Sequence, residues 1–231
     1  MKRSLILSSL LIGLSAVAAA KPPQPFARNE RVTFFGDSIT THNYFTYQLE
    51  FVDLLRNPAA PMETISRGHA GDTAKGGFSR WDWDAAPVPS DRVFVMFGMN
   101  DVSRGAWKDE TPSDEVQAAR GKALESFGTG LAKLADRFAA AGVPLALMTP
   151  TPFDQYNPKA GENIPFCNEP GLSAAAEIVR TLAASNGLEV VELHAPMTKL
   201  FRESADDFVF CRDRVHPGEE GHLYVAALIL D

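Results

Sequence analysis

Four short segments of this 231-residue chain carry residue types that could do chemistry together. Ser38 closes the run Phe34-Phe35-Gly36-Asp37-Ser38, and Gly71 lies in Gly68-His69-Ala70-Gly71-Asp72. Asn100 lies in Gly98-Met99-Asn100-Asp101, and Asp213 and His216 share the segment Asp213-Arg214-Val215-His216. A serine hydroxyl becomes a nucleophile when a neighbouring base takes its proton. A histidine is such a base, and a carboxylate fixes the orientation of its imidazole. A glycine N–H and an asparagine amide are donors of the kind that hold the negative oxygen of a tetrahedral acyl intermediate. These are the parts of acyl transfer by a serine esterase.

Such residues act only if the fold brings them together. Short apolar runs over 32–35, 64–66, 92–97, 144–148 and 188–193 read as strands, and the run at 92–97 is too continuously apolar for a solvent-facing edge. Helical patterns alternate with them. Residues 44–56 place Phe45, Leu49, Val52 and Leu55 on one face. Residues 113–141 repeat Leu124, Phe127, Leu131, Leu134 and Phe138 at helical spacing, with Ser113 as N-cap and Gly142 as stop. Gly121, Gly128 and Gly130 count against one unbroken helix there. Residues 172–184 and a segment after Pro217 complete the set. The alternation predicts an α/β fold, a three-layer α/β/α sandwich around a flavodoxin-like five-stranded parallel sheet. Ser38, Gly71 and Asn100 each follow a strand within a few residues. The carboxyl ends of neighbouring parallel strands open into one crevice, so the three should converge there. Residues 151–169, rich in Pro, Asn and Gly, read as a loop at that same end.

Residues 1–20 have the make-up of a signal peptide: basic Lys2 and Arg3, an apolar stretch over 5–17, and Ala18-Ala19-Ala20 as a cleavage site. Residues 21–30, with Pro22, Pro23 and Pro25, read as an extended lead-in, and residues 31–231 as one domain. Export to the periplasm or medium is therefore expected. Loss of Lys2 and Arg3 would take the formal charge from −7 to −9. So acidic a surface gives nucleic acid no electrostatic footing and anionic lipid little. A small or neutral partner fits better, and oligomeric state is left open. The two cysteines, Cys167 and Cys211, have no ligand partners at zinc spacing. In an exported chain such a pair can form a disulfide, which here would pin the Asp213/His216 segment to the 151–169 loop.

The four segments together resemble the SGNH (GDSL) hydrolase family. Its signature blocks occur in order as Gly36-Asp37-Ser38-Ile39-Thr40, Gly68-His69-Ala70-Gly71-Asp72-Thr73, Gly98-Met99-Asn100-Asp101 and Asp213-Arg214-Val215-His216-Pro217. The resemblance implies Ser38 as nucleophile, His216 as general base and Asp213 as its orienting carboxylate. It implies an oxyanion hole of the Ser38 and Gly71 N–H groups and the Asn100 amide, with no cofactor and no metal. Ser66 stands where many members carry Asn. The resemblance leaves the substrate class open. Short acyl groups, chiefly acetyl, on a carbohydrate suit a chain without an amphipathic lid. A lysophospholipase or thioesterase for longer chains is the alternative, and a non-hydrolytic glycan-binding module on the same scaffold is a third reading.

The remaining candidates have plainer readings. Ser38 alone could cap a helix, Gly71 could be a turn glycine, and Asp101 reads as structural. His194 reads as the end of a strand and His222 as a packed or solvated helix residue, while His42 and His69 sit on loops near the crevice. Of the tryptophans, Trp107 lies better placed than Trp81 or Trp83 to face a sugar.

Overall fold

The computed structural model describes residues 20–231. The leader expected over 1–20 falls outside the described residues except for Ala20. The lead-in is extended, and Lys21 bridges to Glu189.

The apolar runs become one sheet: β1 (Arg31–Gly36), β2 (Glu63–Gly68), β3 (Arg92–Met96), β4 (Leu145–Met148) and β5 (Glu189–Val191). All pairings are parallel, in the order β2-β1-β3-β4-β5, the flavodoxin-like order expected. Strands β3 and β4 are buried along their whole length, as strands covered on both faces must be. The edge strand β2 carries Thr64, Ser66 and Arg67 and is only half-buried. Strand β5 ends before the expected limit, residue 193. Thr149 Oγ1 accepts the N–H groups of Leu193 and His194 at 2.8 and 2.9 Å, which turns the chain out of the sheet.

Among the described residues seven α-helices cover the sheet: α1 (Ser38–His42), α2 (Tyr44–Arg56), α3 (Ala74–Ser79), α4 (Asp114–Ala140), α5 (Ser173–Asn186), α6 (His194–Glu203) and α7 (Glu219–Leu230). Adjacent residues of β1 show the two faces. The Phe34 ring lies edge-on to Phe45 of α2 at 5.0 Å, and the Phe35 ring meets Phe138 of α4 at 6.1 Å. Helix α4 is continuous despite its glycines. A Cβ on Gly130 would lie 2.7 Å from the Lys75 backbone nitrogen, and one on Gly128 would crowd Ile178. Those two glycines let α3 and α5 approach closely, and the packing outweighs their low helix propensity. On α2 the buried stripe includes Phe45 and Leu49 as expected, but Leu55 is exposed and Asp53 turns inward, where it accepts the Met62 N–H at 2.6 Å. No helix among the described residues is long and apolar enough to cross a membrane.

The sheet register aligns the functional exits. Gly36 of β1 faces Gly68 of β2 on one side and Met96 of β3 on the other. A Cβ on Gly68 would stand 2.3 Å from the Thr41 nitrogen and 2.6 Å from the Asp37 carbonyl. Only glycine lets α1 fold down on the end of β2 in this way.

Candidate active site

Ser38 is the first residue of α1. Asp37 caps that helix by accepting the Ile39 N–H at 3.0 Å, which fixes the turn from β1 and leaves Ser38 part-exposed at the strand's carboxyl end. The Ser38 hydroxyl lies 2.7 Å from His216 Nε2, and His216 Nδ1 lies 2.6 Å from Asp213 Oδ2. The second oxygen, Asp213 Oδ1, accepts the backbone N–H groups of Val215 and His216 at 3.0 and 2.8 Å. Burial pushes the Asp213 carboxyl up. The bonds from the His216 ring and from the two backbone N–H groups outweigh burial and hold it below the usual carboxylate range. An ionised Asp213 can only accept, so Nδ1 carries a proton and Nε2 presents a lone pair to the serine hydroxyl. Ser38 and His216, 178 positions apart in sequence, thus join with Asp213 in one hydrogen-bonded relay.

The facing wall comes from the exits of β2 and β3. Gly71 has φ +74°, and nothing lies within 4 Å of where its Cβ would be, so its backbone is open. Its N–H donates to no backbone carbonyl among the described residues. Ser38, at a helix start, has an N–H without an intrahelical acceptor. Asn100 donates from Nδ2 to the Asp72 carbonyl at 2.9 Å, and its Oδ1 accepts from Arg104 Nη1 at 2.9 Å. Arg104 also holds the Met99 carbonyl at 2.8 Å. Only an oxygen can accept from the guanidinium, so Arg104 fixes which way the amide points. An amide nitrogen carries two hydrogens, and the Asp72 contact uses one. Asp101 ties the two loops together, accepting from Ala74 N at 2.9 Å and Gly98 N at 3.0 Å.

Buried charge lies beneath this wall. Burial pushes the Asp37 carboxyl up to about 7 and Asp101 to about 6. Arg80 is buried against Phe35, 3.9 Å from the ring centre. It donates to Asp72, Asp84 and the carbonyls of Gly36 and Arg67, clamping β1, β2 and the Gly71 loop. Neither Arg80 nor Arg104 stands in a signature block, and sequence reading gave no sign of either.

The sequence matches the profile of the GDSL-like lipase/acylhydrolase family over residues 34–223. The chain belongs to that family. It is a carboxylic ester hydrolase, and the matched span contains every residue of the relay and the facing wall. No curated protein sequence matches it significantly. Among solved structures it is similar to a gut microbial diltiazem-metabolizing enzyme, with 25% identity and a TM-score of 0.77. That match covers 93% of this chain but 48% of the other, so this chain spans about half its length. An acetyl xylan esterase matches at 22% identity and TM-score 0.64, over 86% of this chain and 96% of that one. An acetylxylan esterase of Geobacillus stearothermophilus matches at 21% identity and TM-score 0.69, over 90% and 95%. These last two likenesses are of fold.

The remaining candidates of this GDSL-like hydrolase sort by burial. His42 lines the site, its ring centre 4.8 Å from that of His216. His69 lies beside the exposed Trp83, 5.7 Å between ring centres, and 3.5 Å from Asp84. His222 is fully buried and stacks on Phe45. His194 begins α6 rather than ending a strand, and burial pushes its imidazole down to about 4. Trp107 cannot serve as a sugar platform. It is buried, its Nε1 donates to the Val102 carbonyl, and Arg120 lies over its ring. Ser66 donates to the Thr40 carbonyl at 2.9 Å, tying β2 to α1.

The expected Cys167–Cys211 disulfide is not formed. Both are free thiols packed into the apolar core, and burial pushes Cys167 up to about 12. Arg214 makes the connection that the disulfide was expected to make. It adopts φ +69°, and its buried guanidinium donates to the Asp154 carbonyl at 2.6 Å and to the Gly161 carbonyl. Asp154 N returns a bond to the Arg214 carbonyl at 2.8 Å. The Asp213/His216 segment is therefore strapped to the 151–169 loop by hydrogen bonds.

Proposed function

We propose that the protein is an exported esterase that removes short acyl groups, chiefly acetyl, from carbohydrate through a covalent acyl-enzyme. The observation that carries this reading is the unbroken relay from Ser38 through His216 to Asp213 beside a wall of free donors. Ser38 attacks the ester carbonyl while His216 takes its proton, and His216 then returns the proton to the departing alcohol oxygen. Water, deprotonated by the same imidazole, releases the acid. The negative oxygen of each tetrahedral intermediate is held by the Ser38 and Gly71 N–H groups and the second Asn100 amide hydrogen.

Three features support a small acyl group and export. Beyond Asn100 the surface opens into a depression of about 490 Å3 whose apolar side chains are Ala106 and Ile164. A long acyl chain gains about 0.8 kcal/mol for each buried methylene, and so short an apolar wall offers little of that. Two structures of similar fold are those of acetyl xylan esterases. The basic start and apolar stretch of residues 1–20 support export.

Asn100→Ala is expected to lower kcat by about 10²–10³-fold with little change in KM, because its amide meets charge that exists only in the transition state. Steady-state kinetics on p-nitrophenyl acetate decides this. A large rise in KM at constant kcat makes Asn100 a substrate-binding residue instead. The reaction class is tested by labelling with a serine-directed fluorophosphonate and by comparing p-nitrophenyl acetate with octanoate. Labelling that Ser38→Ala abolishes, with acetate preferred, is the expected result. A preference for octanoate transfers the assignment to longer acyl chains. An unlabelled, inactive wild type leaves a glycan-binding module.

A further inference from the structure

A groove of about 1230 Å3 opens beside the catalytic pair and contains both His216 and Asp213 in its wall. Chemistry decides which half of an ester enters it. His216 must hand its proton to the departing oxygen, so the alcohol half has to lie within hydrogen-bond reach of Nε2, on the imidazole side. None of the oxyanion donors, Ser38, Gly71 and Asn100, lines this groove. The volume exceeds that of most sites for drug-sized ligands, which leaves room for a large alcohol.

The lining shows its chemistry. Two large aromatics, Tyr44 and Phe208, are 45% and 41% exposed there. Lys159 and Arg212 stand against Glu219, Glu220 and the ionised Asp213, which leaves a single net negative charge and gives an anionic alcohol no footing. Aromatic faces with dispersed hydrogen-bonding groups suit the C–H faces and hydroxyl rims of neutral sugar rings. Both aromatics are held from below. Phe208 meets Phe210 edge-on at 4.7 Å, and Phe210 stacks at 5.2 Å on Phe201, which is buried. Tyr44 lies 5.5 Å from the buried His222 ring, which stacks on Phe45. The loop bearing Phe208 is strapped down as well. Its carbonyl accepts from Asn157 at 2.7 Å, and Lys159 Nζ donates to the Asp206 carbonyl at 2.7 Å. Surfaces fixed before binding lose little freedom on binding.

We infer that this groove is the alcohol subsite, and that Tyr44 and Phe208 are the platforms on which a neutral oligosaccharide lies while its acyl group reaches Ser38. The inference rests on the esterase reading and adds to it the residues that set specificity.

The test compares wild type with Tyr44→Ala, Phe208→Ala and the double variant. Two substrates are used, an acetylated xylo-oligosaccharide and p-nitrophenyl acetate, which has no sugar. The ratio of kcat/KM values, oligosaccharide over p-nitrophenyl acetate, is expected to fall roughly tenfold for each substitution, chiefly through KM. Phe51→Ala, an aromatic 62% exposed on α2 outside the groove, should leave the ratio where it is. Separately, Ser38→Ala is titrated calorimetrically with unacetylated xylotetraose, and binding should disappear when the two platform substitutions are added. Equal losses on both substrates, or a ratio and a titration that do not respond, overturn the subsite while the esterase reading stands. Failure of wild type to hydrolyse p-nitrophenyl acetate removes the esterase reading. The titration then decides by itself whether the groove holds saccharide.

Discussion

Ser38→Ala is expected to lower kcat on the order of 10⁶-fold, as loss of a triad nucleophile does, while the fold survives. Among the described residues the hydroxyl has one partner, His216, and no other group there loses a hydrogen bond when it goes. Alanine suits a first helical position, and the cap that fixes the turn belongs to Asp37. The thermal midpoint should therefore match that of wild type within a few degrees. Residual turnover, if measurable, comes from the donors of the facing wall, which polarise the carbonyl for water without a covalent step. Turnover of p-nitrophenyl acetate by purified variant, read beside its melting curve, decides the matter. Near-normal activity in a folded variant removes Ser38 from the chemistry.

What could be read in the sequence divides along a physical line. Strands β1 and β3 are continuous apolar runs because both their faces are covered, and such runs are visible without coordinates. The signature segments lie at strand exits, so the parallel order alone brings Ser38 beside the Gly71 loop, and the hydrogen-bond register confirms the alignment. Helices α1 and α3 were not legible because each is too short to show a period. Helix α6 was hidden by the side chain of Thr149, which captures two N–H groups from a distance of more than forty residues. Arg80, Arg104 and Arg214 were invisible for a related reason. Arg80 and Arg214 reach backbone carbonyls of other segments, and Arg104 reaches back across a turn to the Met99 carbonyl and the Asn100 amide oxygen; no periodic pattern marks an arginine that donates in this way. Trp107 failed as a platform because nearness in sequence to Asn100 says nothing of which way an indole faces. Tyr44 and Phe208 carry no motif at all and meet only in the folded groove.

Asp213→Asn is expected to cost about 10⁴-fold in kcat, with a reason specific to this loop. Asp213 Oδ1 holds two backbone N–H groups, those of Val215 and His216. In the asparagine variant the amide oxygen must take that place, because an NH₂ group cannot accept. The amide nitrogen is then left facing His216 Nδ1, where the carboxylate oxygen Oδ2 stood at 2.6 Å. It donates to Nδ1 and drives the ring proton to Nε2, where it opposes the Ser38 hydroxyl instead of receiving its proton. The loop is preserved while the tautomer is inverted. Asp213→Ala makes the useful comparison: it sacrifices the loop bonds but leaves the imidazole free to choose its tautomer. If tautomer governs, the asparagine variant is the slower of the two despite being the better folded. If loop order governs, the ranking reverses, and an asparagine variant that keeps most of its activity, with the pH dependence of kcat/KM unchanged, ends the assignment of Asp213. Stability supplies an independent reading. A carboxyl held below its ordinary range in the folded protein stabilises it above that range, and the contribution is lost as pH falls through the folded value. The stability gap between wild type and Asp213→Asn should therefore be present at neutral pH and shrink below about pH 4, as denaturant midpoints at the two pH values will show.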